Sequence, residues 1–155
     1  MASDAPSDTG SHAETVPTTL VAVYSDDRDV RRSALLALGD QPATDVGQVE
    51  CVEFATAPVL MRALDRGVDG RRIGVVILDG EAVPAGGMGI ARQIKDEIFN
   101  APPVVLIVAR PQDGWLAAWS RADSVVTHPI DPRALAAAVA TQMRRGAERS
   151  SLTTT

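Results

Sequence analysis

Ile73-Gly74-Val75-Val76-Ile77-Leu78-Asp79-Gly80-Glu81 is the stretch that decides the fold: nearly unbroken aliphatic residues run into an aspartate and a glycine. A strand with one face in water alternates apolar and polar side chains, whereas a strand covered on both faces does not, and this one does not. Val104-Val105-Leu106-Ile107-Val108-Ala109 has the same character. Two such short, β-branched runs predict the central strands of a parallel sheet flanked by helices.

Working outward, Leu20–Tyr24, Val49–Ala55 and Ser124–Thr127 read as three further strands. Glu50 and Glu53 interrupt the apolar residues of the second, which suits a sheet edge. A helical pattern follows each strand. Asp29–Leu38 carries Val30, Ala34 and Leu38 on one face and stops at Gly39; Pro58–Arg66 stops at Gly67 in the same way. Gly89–Phe99 ends before Asn100 and Pro102-Pro103, and Gln112–Arg121 holds both tryptophans. Asp131-Pro132 supplies a cap and a first-turn proline to Arg133–Arg145. Five strand–helix alternations with short connections predict a doubly wound α/β fold, (βα)5, with right-handed crossovers placing helices on both faces.

Residues 1–18 are rich in Ser, Thr, Asp, Pro and Gly without a hydrophobic period and read as a disordered arm, and residues 146–155 as a disordered tail. Residues 19–145 remain as one domain, large enough to bury a core without disulfides or metal. The chain has 155 residues, a net charge of −5 and a single cysteine. Its arginines are scattered rather than clustered, which argues against a nucleic-acid surface and a DNA-binding domain. No apolar run approaches the length of a transmembrane segment, and residues 1–18 lack the features of a secretory signal. Cys51 has no internal disulfide partner, so a reducing cytoplasm is the default compartment.

In an open parallel sheet, functional groups gather beyond the carboxyl ends of the strands. Those ends here carry Ser25-Asp26-Asp27, Asp79-Gly80-Glu81 and Thr127-His128-Pro129. Acidic groups on neighbouring strand ends can share a hard cation such as Mg²⁺; equally, Asp26 and Asp27 can cap the first helix and Asp79 the next turn. Gly80–Gly89 fits neither the dinucleotide fingerprint nor the P-loop pattern and reads as a mouldable loop. A lone His128 is a poor metal ligand, and His12, in the arm, carries no assignment. Cys51 reads as a packed small hydrophobe. Trp115 and Trp119, four residues apart, share one helix face, which points either into the core or toward a partner. No nucleophile is paired with a base, so nothing marks an enzyme.

Over about residues 19–145 the sequence resembles the response-regulator receiver family. Tyr24-Ser25-Asp26-Asp27-Arg28-Asp29-Val30-Arg31 is similar to its first acidic segment, and Asp79 and Gly87 match its phospho-accepting aspartate and the glycine eight residues on. Ile90-Ala91-Arg92-Gln93-Ile94-Lys95 is similar to its third helix. Ala122 to Pro132, through Thr127-His128-Pro129-Ile130-Asp131, is similar to the stretch that ends in a lysine–proline pair and opens the last helix. The resemblance implies a flavodoxin-like fold with strand order 2-1-3-4-5. It implies Asp79 as phospho-acceptor, Mg²⁺ held weakly by Asp26, Asp79 and the Glu81 carbonyl, and a cis peptide before Pro129. It also implies a protein-contact face on the fourth helix, fifth strand and fifth helix. That face would carry Trp115, Trp119, Arg121, Arg133 and the alanine-rich Ala134–Ala140, suited to a homodimer or a heteromeric interface.

Four switch positions depart from the family pattern. Ser25 replaces the first acid, Val108 a Ser/Thr, Val125 an aromatic and His128 the lysine; the proline after the acceptor is shifted by one, to Pro84. Phosphoryl transfer depends on a metal and a fixed cation to neutralise charge, and each such contact is worth about 2–4 kcal/mol in comparable sites. The expectation is therefore an atypical single-domain response regulator, a pseudo-receiver that requires no cofactor. It would act as a protein–protein interaction module, as a constitutive accessory subunit of a larger assembly. The alternative is a working phospho-acceptor at Asp79 in a two-component phosphorelay.

Overall fold

The computed structural model describes residues 18–152; residues 1–17, which include His12 and nearly all of the expected arm, and residues 153–155 lie outside the described residues. Five parallel strands form one sheet: β1 (Thr19–Tyr24), β2 (Val49–Phe54), β3 (Ile73–Asp79), β4 (Val104–Val108) and β5 (Ser124–Thr127). Their order is β2-β1-β3-β4-β5, so the two continuously aliphatic runs are interior strands. Every residue of β4 is buried, and so is all of β3 except Gly74.

The helices are α1 (Arg28–Leu38), α2 (Ala57–Arg66), α3 (Gly87–Glu97), α4 (Gly114–Ser120, after a 3₁₀ turn at Pro111–Asp113) and α5 (Pro132–Leu152). Alternate strand residues separate the two apolar layers. Val21, Val23, Val75, Ile77, Val105 and Ile107 pack with Ala34 and Leu38 of α1 and with Leu135 and Val139 of α5. Leu20, Ala22, Tyr24, Val76, Leu78, Leu106 and Val108 pack on the other side with Leu60, Leu64, Ile90 and Ile94 from α2 and α3. The doubly wound reading is borne out.

Local chemistry sets the helix boundaries. Asp27 caps α1, its carboxylate accepting from the Asp29 N–H at 2.8 Å. Gly67 closes α2 with φ +82°, and a Cβ there would stand 2.8 Å from the Arg71 carbonyl oxygen, so only glycine fits. Asp131 accepts from the Arg133 N–H at 2.9 Å at the start of α5. That helix ends later than expected. Residues 146–152, read as tail from their polar composition, continue α5 to Leu152. Gly146 stays helical at a cost of about 1 kcal/mol, and Ala147, Glu148 and Arg149 are good enough helix formers to carry the chain past it. The Arg144 guanidinium forks onto Asp45 at 2.6 and 2.8 Å, and the Ser151 hydroxyl donates to the Glu148 carbonyl at 2.8 Å.

Candidate functional site

Three strand ends bring Ser25, Asp79 and His128 together at one rim of the sheet. β3 delivers Asp79 at its last position, only 3% exposed. The Ser25 hydroxyl donates to its Oδ2 at 2.7 Å, and the Glu81 N–H donates to Oδ1 at 2.9 Å. From the end of β5, His128 Nε2 lies 3.2 Å from the same Oδ1. The carboxylate is thus surrounded by a hydroxyl, a backbone amide and an imidazole. Ser25 is itself held: its Oγ accepts from the Asp27 N–H at 3.0 Å, and its carbonyl accepts from Arg31 at 2.7 Å. Buried acceptors are stable when satisfied in this manner.

Of the expected metal residues, Asp26 and Asp79 each accept hydrogen bonds from the protein. Asp26 points to the β3–α3 loop, where its Oδ1 accepts from the Val83 N–H at 3.0 Å. The Glu81 side chain is exposed, and that residue approaches Asp79 through its amide. Among the described residues, no three His, Cys, Asp or Glu side chains stand close enough to hold a metal ion. The expected set draws on the Glu81 carbonyl rather than its carboxylate, so it consists of two carboxylates and one backbone oxygen.

Close packing explains the glycines beside Asp79. A Cβ on Gly80 would lie 2.7 Å from the Ile107 carbonyl oxygen, and one on Gly87 would lie 2.6 Å from that of Asp79. The matched spacing of Asp79 and Gly87 is therefore a steric requirement of the turn. Both Val83-Pro84 and His128-Pro129 are cis peptides.

No family model matches the chain. Curated relatives do: uncharacterized response regulatory proteins from two Mycobacterium tuberculosis strains are each 45% identical over 124 residues, covering 80% of this chain and 90% of theirs. The chain belongs to the response-regulator family. Solved structures agree on its receiver fold. The signal receiver domain of a putative LuxO repressor protein from Vibrio parahaemolyticus superposes with a TM-score of 0.74 at 13% identity, covering 90% of this chain and all of that one. A chemotaxis response regulator of Vibrio cholerae gives 0.64 at 15% identity, over 81% of this chain and 99% of that one.

Two of the four expected switch positions, Val108 and Val125, lie on β4 and β5. Val108, 1% exposed, packs into the apolar layer. Val125 pairs with Leu106 across β4 and β5, and is 38% exposed. On the expected contact face, Trp115 and Trp119 are 70% and 49% exposed, which removes the core reading of the pair. The Arg92 guanidinium lies 4.9 Å from the Trp119 ring centroid and donates to the Trp119 carbonyl at 3.1 Å, a cation–π contact. Arg121 pairs with Asp96. Arg133 is exposed at the start of α5, as are Ala134 and Ala137. Cys51 is half-buried, and burial first, then the Glu53 charge, pushes its thiol up to about 11. No helix among the described residues is long and apolar enough to cross a membrane.

Tyr24, which the sequence marks only as the end of a strand, also reaches the rim. Its hydroxyl donates to the Ala85 carbonyl at 2.7 Å, across the β3–α3 loop. An aromatic at the polar end of a buried strand, where its tip must find a partner, is the signal that could have marked it.

Proposed function

We propose that this receiver domain is an atypical response regulator that works by constitutive docking onto a protein partner, with phosphorylation of Asp79 degenerate. One observation supports the reading above the rest. The Asp79 carboxylate is enclosed by the Ser25 hydroxyl, the Glu81 amide and His128, so its acceptor capacity is directed at the protein rather than at a metal or a phosphoryl group. Two further features point the same way: Val108 offers no hydroxyl to hold a modified carboxylate, and Asp26 is engaged by the loop.

The docking face is α4, β5 and α5, led by Trp115 and Trp119, with Arg121, Arg133 and the exposed alanines of α5 around them. Exposed tryptophan is favoured at binding hot spots because it buries much area for little lost rotamer freedom. A permanent accessory subunit of a larger assembly, in the cytoplasm, fits such a surface; so does a homodimer. A pull-down from the native host recovers a stoichiometric partner with wild-type protein and with Asp79→Asn. Combined Trp115→Ala and Trp119→Ala substitution removes that partner. Loss of binding in Asp79→Asn would refute constitutive docking.

A second reading, a phospho-accepting receiver in a two-component relay, draws on the position of His128. Its Nε2, 3.2 Å from Asp79, stands where a cationic group would assist transfer to Asp79.

A further inference from the structure

The loop between β3 and α3 crosses the rim on which Asp79 lies, and its two ends are pinned to β3 and β4. The Gly80 N–H donates to the Ile107 carbonyl at 2.7 Å, the Ala82 N–H donates to the Asp79 carbonyl at 3.2 Å, and Gly87 abuts the Asp79 backbone. Val83 and Pro84 in its middle are exposed, while Ala82 and Ala85 on either side of them pack against the apolar layer. Two hydrogen bonds tie that middle to the end of β1, and both span long stretches of chain. Asp26 Oδ1 accepts from the Val83 N–H at 3.0 Å, 57 residues away, and the Tyr24 hydroxyl donates to the Ala85 carbonyl at 2.7 Å, 61 residues away.

We propose that Tyr24 and Asp26 are positioning residues forming a two-point clasp that holds the β3–α3 loop closed over Asp79 and limits access to its carboxylate. The proposal deepens the degenerate-acceptor reading and rests on it for its biological meaning. The tyrosine suits the task. Burial, then the charges of Asp26 and Asp79, push its phenol above the ordinary value, so it remains a protonated donor. Asp26 gives the clasp its second point through the bond its Oδ1 accepts from the Val83 N–H.

Hydrogen exchange of the loop amides and carbodiimide-driven coupling of Asp79 to glycinamide are measured on the full chain. Tyr24→Phe and Asp26→Ala each speed exchange across residues 80–87 by about tenfold, the loss of one local hydrogen bond. Both variants label Asp79 faster, while β4 amides keep their protection. Asp26→Asn, whose amide oxygen still accepts from the Val83 N–H, stays within about twofold of wild type. Equal effects of Asp26→Asn and Asp26→Ala would mean that charge matters rather than the bond, and would overturn the clasp. Unchanged exchange in both Tyr24→Phe and Asp26→Ala would overturn it as well. If one variant fails to fold, the other decides. Neither readout involves phosphorylation or partner binding, so a wild-type chain that is readily phosphorylated refutes the degenerate-acceptor reading without bearing on the clasp.

Discussion

At position 25 a hydroxyl donates to Asp79 Oδ2 at 2.7 Å, and that contact sets the surroundings of the carboxylate. A second acid so close to Asp79 would demand a cation between them; a serine instead donates a hydrogen bond that stabilises the carboxylate. Removing that donor with Ser25→Ala strands one buried carboxylate oxygen and costs about 1–3 kcal/mol, read as a lower urea midpoint with unchanged slope. Ser25→Asp destabilises the domain in metal-free buffer, and millimolar Mg²⁺ restores the midpoint. Cys51 belongs to the same scale. With its thiol pushed up to about 11, it reacts with Ellman's reagent at about pH 8 far more slowly in the folded than in the unfolded chain.

At the scale of elements, β3 and β4 were legible because nothing but burial on both faces produces aliphatic runs without alternation. The mixed pattern of Val49–Phe54 likewise marked an edge strand. Helix stops at Gly39 and Gly67 were legible for the same local reason, the ease of positive φ in glycine. Gly67→Ala should cost about 1–3 kcal/mol, since it meets both an unfavourable φ and the Arg71 carbonyl; thermal unfolding measures the loss. The end of α5 was not legible, because a polar stretch reads alike whether it is solvated helix or tail. What continues the helix is the helix propensity of Ala147, Glu148 and Arg149, which outweighs the cost of Gly146. The rim divided in the same way. Asp79, Ser25 and His128 were placed from strand ends alone, while the outward turn of Asp26 depends on an amide 57 residues distant that no local pattern reveals. Spacing put Trp115 and Trp119 on one face but could not say which way that face looked.

Across the whole molecule, the two apolar layers hold a sheet whose carboxyl rim is closed by hydrogen bonds and whose flank at α4 and β5 exposes two tryptophans. On the proposed reading, a working acceptor requires several changes at once, because hydroxyl, cation and carboxylate act as a unit in phosphoryl transfer. The triple variant Ser25→Asp, Val108→Thr, His128→Lys gains a phosphoryl group from acetyl phosphate and Mg²⁺, while each single variant gains little. The most direct measurement uses the unaltered chain: intact mass after incubation with acetyl phosphate and Mg²⁺. An unchanged mass is the predicted result. A gain of about 80 Da, absent in Asp79→Asn, would contradict the view that internal hydrogen bonds have closed this acceptor.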